Sequence, residues 1–140
     1  MTSDLPSPIG PRETYPTELS DRVLHAWGRI GFGFMQVGLE MTFDRPLEPD
    51  RLAAALERLR LREPLVGCRF AEDGRGGRPR WEPLESYRPL TATGDPDVYE
   101  RFRVTPLRAA EEPQLKACLD LSGPRARQFL AQSHELADAG

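Results

Sequence analysis

Met35, Val37, Leu39, Met41 and Phe43 alternate with Gln36, Gly38, Glu40 and Thr42. A period of two is that of an extended strand whose successive side chains point to opposite faces, so this stretch is expected to form a strand with one apolar face buried. Turn residues Asp44-Arg45-Pro46 follow, and Pro49 then stands where a first helical position tolerates proline. Leu52, Ala55, Leu56 and Leu59 share one side of the helix that begins there, with Arg51, Glu57, Arg58 and Arg60 outside. A strand that leads into an amphipathic helix calls for a sheet with helices laid on it.

The rest of the chain agrees with that plan. Residues 1–18 hold many prolines and little apolar periodicity, and are expected to be a flexible lead-in. Ser20 is a candidate cap for a short helix carrying Val23, Leu24 and Trp27 on one face and ending near Gly28. Pro64 stops the main helix, and Val66, Cys68 and Phe70 alternate as a second strand. A loop of composition Glu72-Asp73-Gly74-Arg75-Gly76-Gly77 leads to Arg80-Trp81-Glu82, its hairpin partner. Asp95 and Pro96 signal a third helix, with Val98 and Phe102 one turn apart. Leu115, Ala117, Leu119 and Leu121 form a strand, and after the turn 122–125, residues 128–133 form its antiparallel partner, ending at His134.

Composition excludes several functions. With 19 basic and 22 acidic residues interspersed, and a formal net charge of -3, the chain has no basic stripe for a phosphate backbone, so no nucleic acid partner is expected. No apolar run is long enough to cross a bilayer, so no membrane association is expected and the reading is cytoplasmic. Cys68 and Cys118 fall within strands and are expected to be buried free thiols. With the two histidines they lack metal-ligand spacing, so no metal site is expected. The glycine-rich loop lacks the strand-to-helix context and the lysine of a phosphate-binding loop. His25 reads as a surface or packing residue, and Arg58, Arg60 and Arg62 as a solvated helix face. Arg125 and Arg127 flank a turn and are candidates for contact with an acidic carrier protein.

The chain closes on Ser133-His134-Glu135-Leu136-Ala137-Asp138-Ala139-Gly140, where an imidazole precedes a carboxylate by four positions at the end of an apolar strand. On residue types alone, such a pair is more often a solvated part of a loop than a site. The segment resembles the motif His-His-x-x-x-Asp-Gly of the condensation-domain and chloramphenicol-acetyltransferase-like acyltransferase superfamily. His134 matches the second histidine and Asp138 the aspartate, while Ser133 replaces the first histidine and Ala139 the glycine. Gly140 lies one place beyond the expected glycine. Upstream, Leu47-Glu48-Pro49-Asp50-Arg51-Leu52 through Leu59 to Arg62-Glu63-Pro64-Leu65 is similar to the family's first helix and its Arg-His-Pro ending, with Glu63 in place of the histidine. Pro106-Leu107 and Pro113-Gln114-Leu115-Lys116 resemble the segment that introduces the strand before the motif.

The resemblance implies an α/β fold of α+β sandwich type: a mixed, largely antiparallel sheet flanked by helices, as one lobe of a chloramphenicol-acetyltransferase-like two-lobed fold. Residues 19–140 would be the N-terminal lobe, broken off after the motif, and the missing C-terminal lobe would be a partner. It implies acyl transfer from a thioester, on coenzyme A or a phosphopantetheinyl carrier protein, to an alcohol or amine, with no tightly bound cofactor. His134 would be the catalytic base. Ser133, Asp138, Ala139 and Gly140 would shape the motif, Asp138 as an ion-pair partner and Ala139 or Gly140 as the flexible position. The two departures favour an alternative, a catalytically silent interaction module of the same fold. An unrelated small α/β domain is a third reading.

Overall fold

A computed structural model describes residues 14–30, 36–72 and 76–133. Seven strands fall into two sheets, one of three strands in the order β1-β4-β3 and one of four in the order β2-β7-β6-β5. β1 is Tyr15–Pro16, β2 Gln36–Phe43, β3 Cys68–Ala71, β4 Arg80–Pro83, β5 Leu90–Thr93, β6 Leu115–Asp120 and β7 Ala126–Ser133. The helices are α1, Leu19–Arg29, α2, Pro49–Arg62, and α3, Pro96–Val104. All strand pairs are antiparallel except β5 with β6, which needs the crossover through α3.

The four-stranded sheet carries helices on both faces because its inner strands are apolar on both. On one face Leu115 and Ala117 of β6 pack with Leu56 of α2 and Val66, joined by Leu52, Tyr87, Leu90 and Leu130. On the other, Cys118, Phe129 and Ala131 enclose Tyr99 of α3, with Phe102 beside them. Cys68, Phe70 and Trp81 form a separate core in the small sheet, under Tyr15, Leu65 and Ala109.

Both cysteines are buried free thiols as expected, and burial pushes each pKa up to about 11, which keeps them protonated and inert. The hairpin β3–β4, the β6–β7 pair, α2 and α3 also fall where the sequence places them. α3 starts as predicted, with the Asp95 carboxylate accepting from the Asp97 N–H at 2.9 Å and Pro96 in the first turn.

Other elements differ. The end of the expected lead-in is paired: Tyr15 and Pro16 lie opposite Trp81 and Arg80, and the Thr17 hydroxyl donates to the Pro79 carbonyl at 2.7 Å. Glu18, and not Ser20, caps α1, in a capping box in which the Asp21 carboxylate accepts from the Glu18 N–H at 2.8 Å. α1 faces inward through Asp21, which is buried, and His25, whose ring stacks on Phe70, whereas Val23 and Trp27 are exposed. Residues 65–67, expected to begin the second strand, form with Pro64 a 3-10 turn instead, since Pro64 at its start supplies no N–H to a ladder.

The largest difference concerns β2. Its alternation is real, but β2 is an edge strand, and Val37 and Leu39 are 46 % and 53 % exposed. α2 covers β5 and β6 and leaves that edge open. On the opposite face Gly38 is required by a close approach, since a Cβ there would lie 2.5 Å from Cζ of Phe129. Gly38→Ala is expected to cost about 1–3 kcal/mol through this overlap. Thermal melts of G38A and the double variant G38A/F129L check it: the smaller leucine should restore part of the loss, and an unchanged melting temperature in G38A would refute the overlap.

Candidate functional site

His134, Asp138, Ala139 and Gly140 lie outside the described residues, so what the structure gives is the frame from which they depart. That frame is the end of β7. Ser133, the first motif position, is its last residue and is buried. β7 runs between β2 and β6, with Gln36 opposite Ser133 on one flank and Leu115 opposite Gln132 on the other. One step beyond the β6 register, the Ser133 N–H donates to the Gln114 carbonyl at 2.8 Å. Gln36 is tied down in turn, its Oε1 accepting from the Leu107 N–H at 2.7 Å. The chain that continues as His134 therefore leaves a central strand whose last residue is held on both sides.

In the sequence Gln36 stands out only as a polar alternate of the strand and Gln114 only as part of Pro113-Gln114-Leu115-Lys116, with no role of its own for either. Gln114 is fully buried between Pro113 and Leu115, an amide at the head of an otherwise apolar strand.

The far end of β7 holds a charge network. Arg127 donates through Nη2 to Oδ2 of Asp120 at 2.7 Å and through Nε to the same oxygen at 3.1 Å. Its guanidinium lies 4.5 Å from the centre of the Tyr99 ring and 3.6 Å from Glu100. The Tyr99 hydroxyl donates to Glu40 of β2 at 3.0 Å. Burial and that bond to a carboxylate raise the Tyr99 pKa, so its proton stays on. Burial alone would raise the Asp120 pKa, but hydrogen bonds from Ser122 and Arg127 outweigh it and hold the carboxyl below its usual value. Arg127, a candidate for contact with an acidic carrier, is thus engaged within the fold, while Arg125 is exposed.

A depressed folded-state pKa contributes stability above the unfolded value, near 3.9 for aspartate, and that contribution is lost as pH falls through the lower folded value. Asp120→Asn keeps an acceptor for Ser122 but loses the charge, at an expected cost of about 1–3 kcal/mol at pH 7. Urea titrations of wild type and variant should converge between pH 4 and pH 2; a gap independent of pH would refute the assignment.

Other singled-out residues have packing roles. His25 stacks on Phe70 with centroids 4.1 Å apart and lies 3.6 Å from Glu72, so it is a packing residue of α1 against the hairpin. Arg58 and Arg62 are exposed. Arg60 is not simply solvated: it pairs with Glu57 through Nε at 3.0 Å, and its guanidinium lies 5.6 Å from the Tyr87 ring centre. That hydrogen bond raises the Arg60 pKa and lowers that of Glu57. Of the glycine-rich loop, residues 73–75 lie outside the described residues, and Gly76 has a left-handed φ of 80° that favours glycine. Among the described residues no three His, Cys, Asp or Glu side chains gather as metal ligands, and no helix is long and apolar enough to cross a membrane.

Helices on both faces of a mixed sheet, with a small hairpin sheet beside it, are the architecture of part of a condensation-domain, chloramphenicol-acetyltransferase-like lobe. Among solved structures, the starter condensation domain of rhizomide synthetase RzmA superposes with a TM-score of 0.62 at 12 % identity, over 88 % of this chain and 33 % of that one. The first condensation domain of the calcium-dependent antibiotic synthetase, in complex with a substrate analogue, gives 0.62 at 20 % identity, over 87 % and 33 %. The tallysomycin biosynthesis protein TlmII gives 0.60 at 18 % identity, over 86 % and 31 %. The chain thus spans about a third of the length of the solved structures it matches. No family model and no curated protein sequence matches it.

Proposed function

We propose that this chain supplies one lobe of a condensation-type acyltransferase module, in which His134 removes a proton from an alcohol or amine as it attacks a thioester carbonyl. The observation that carries the reading is the end of β7. A central, doubly flanked strand of a condensation-domain-like sheet runs directly into Ser133-His134 and, four residues on, Asp138. A neutral nucleophile acquires positive charge as it attacks, and an imidazole with a pKa near 6.5 is suited to relieve it. Asp138 shapes the segment as an ion-pair partner, and Ala139 or Gly140 sets its turn. The donor is an acyl group on coenzyme A or on a phosphopantetheinyl carrier protein, and Arg125 is available to an acidic carrier. The second lobe completes the cleft, and the module acts in the cytoplasm on soluble substrates.

The test is acyl transfer by the full-length protein from acetyl- and octanoyl-coenzyme A, and from an acyl-loaded carrier protein, to a panel of amines and alcohols. Release of free thiol matched by ester or amide supports the reading. Failure with every donor favours the second reading, a catalytically silent interaction module of the same fold. The observation that favours that alternative is Ser133, a buried hydroxymethyl group where the motif has an imidazole.

A further inference from the structure

α2 presents two unlike sides. Leu52 and Leu56 pack on the sheet, and Arg60 lies back against Glu57 and the Tyr87 ring. Arg51, Arg58 and Arg62, by contrast, are all exposed. A helix turns by about 100° and rises about 1.5 Å per residue, so these three positions fall within about 20° of one line and form a ridge about 16 Å long. Ala54 and Ala55, also exposed, separate Arg51 from Arg58. Leu59 and Leu61, 37 % and 57 % exposed, stand about 80° to either side of the ridge. Among the described residues none of the three arginines forms an ion pair.

The stability of α2 would not select this ridge. Arg51 lies in the first turn, where the positive end of the helix disfavours a cation, and Arg58 and Arg62 are like charges one turn apart. Only Arg62, in the last turn, matches the helix dipole. The ridge also runs against the sign of the whole chain, whose formal net charge is -3. Carboxylates brought to it from outside would remove both penalties at once. The two leucines call for apolar side chains beside those carboxylates.

We propose that the outer face of α2 is a docking surface for an acidic amphipathic helix of another protein, laid along the ridge with carboxylates over Arg51, Arg58 and Arg62 and apolar side chains against Leu59 and Leu61. Arginine suits the task, because its planar fork takes a carboxylate through two parallel N–H bonds while its stem covers apolar surface. A docked helix repeats its side chains every three, four and seven residues, which is the spacing of the ridge. A phosphate backbone offers charge but nothing to the leucines, and the net negative charge of the chain opposes it. A bilayer would need the broad apolar side of α2, which is turned to the sheet. The inference does not rest on the acyl-transfer reading.

The experiment titrates the full-length protein, by fluorescence anisotropy, with a labelled, stapled helical peptide of about five turns that carries glutamates at the spacing of the ridge and leucines on either side. An isomer of the same composition, with its glutamates spread around the helix, is the control. The patterned peptide should bind at least about tenfold more tightly than the isomer. R58E should weaken it at least about tenfold, and a peptide with lysine in place of the middle glutamate should recover that loss. R101E, the same charge change at an exposed arginine of α3, should bind as wild type does. Without peptide, R51E should raise the melting temperature by about 1–3 °C. No binding of the patterned peptide, equal binding of the isomer, or an equal loss in R101E overturns the proposal. Tighter binding of duplex DNA or phosphatidylserine vesicles through Arg58 overturns it as well, and so does a lower melting temperature in R51E, which would show that Arg51 serves the fold. If R58E does not fold, R62E decides by the same criterion.

Discussion

Replacing His134 by alanine in the full-length protein is expected, on the proposed acyl-transfer reading, to lower acyl transfer by about a hundred- to ten-thousandfold, the range a positioned general base contributes. The loss should appear in kcat with little change in KM, because the imidazole is asked to act on a proton that leaves only as the nucleophile attacks. The wild-type rate should climb with pH and level off once the ring is neutral, around its ordinary pKa of about 6.5 unless the cleft shifts it. That rise should be missing from the residual activity of H134A, which makes the pH profile a second check on the same claim. Asp138→Ala is expected to behave otherwise: a group that shapes the segment lowers melting temperature and activity together. A rate in H134A within about threefold of wild type would remove the imidazole from the chemistry.

What the sequence disclosed follows from how local each signal is. Asp95 and Pro96 specify the start of α3 through one hydrogen bond and one fixed dihedral, both within the segment, so the helix was legible. The β6–β7 pair was legible because Leu115, Ala117 and Leu119 alternate beside a turn rich in Gly and Pro. β5 was not. Leu90-Thr91-Ala92-Thr93 is a four-residue strand with no distinctive pattern, and it exists because a parallel partner, β6, lies beside it. The exposed edge of β2 was equally hidden: alternation gives a strand two unlike faces, but only the placement of α2 decides what the apolar one meets.

The candidate site divides in the same way. Ser133, His134 and Asp138 were visible as a chemical motif within a run of six residues. Gln36 and Gln114 were not, since their importance comes from carbonyls and N–H groups brought in from β3 and from the connection before β6. The pairing of Asp120 with Arg127 joins the end of one strand to the start of the next. Nothing in the sequence sets Arg127 apart from Arg125, the exposed arginine of the same turn.

Trp81→Ala is expected to be among the most destabilising single changes, at about 3–5 kcal/mol, the usual cost of deleting a large aromatic from a closed core. Trp81 is 1 % exposed and is the middle of its own small core. Its ring meets Phe70 edge-on at 5.2 Å, and Nε1 donates to the buried Asp21 carboxylate at 3.3 Å. Three elements depend on it: β3 through Phe70, α1 through Asp21, and β1 through the pairing of Tyr15. Its removal leaves a cavity and takes a donor from a buried carboxylate, two penalties that act in the same direction. Trp81→Phe separates them, since it fills most of the space but leaves Asp21 without the indole N–H, and should cost about 1–3 kcal/mol. Urea unfolding followed by circular dichroism measures both, and a loss under about 1 kcal/mol in W81A would show that the hairpin sheet contributes little to the folded state.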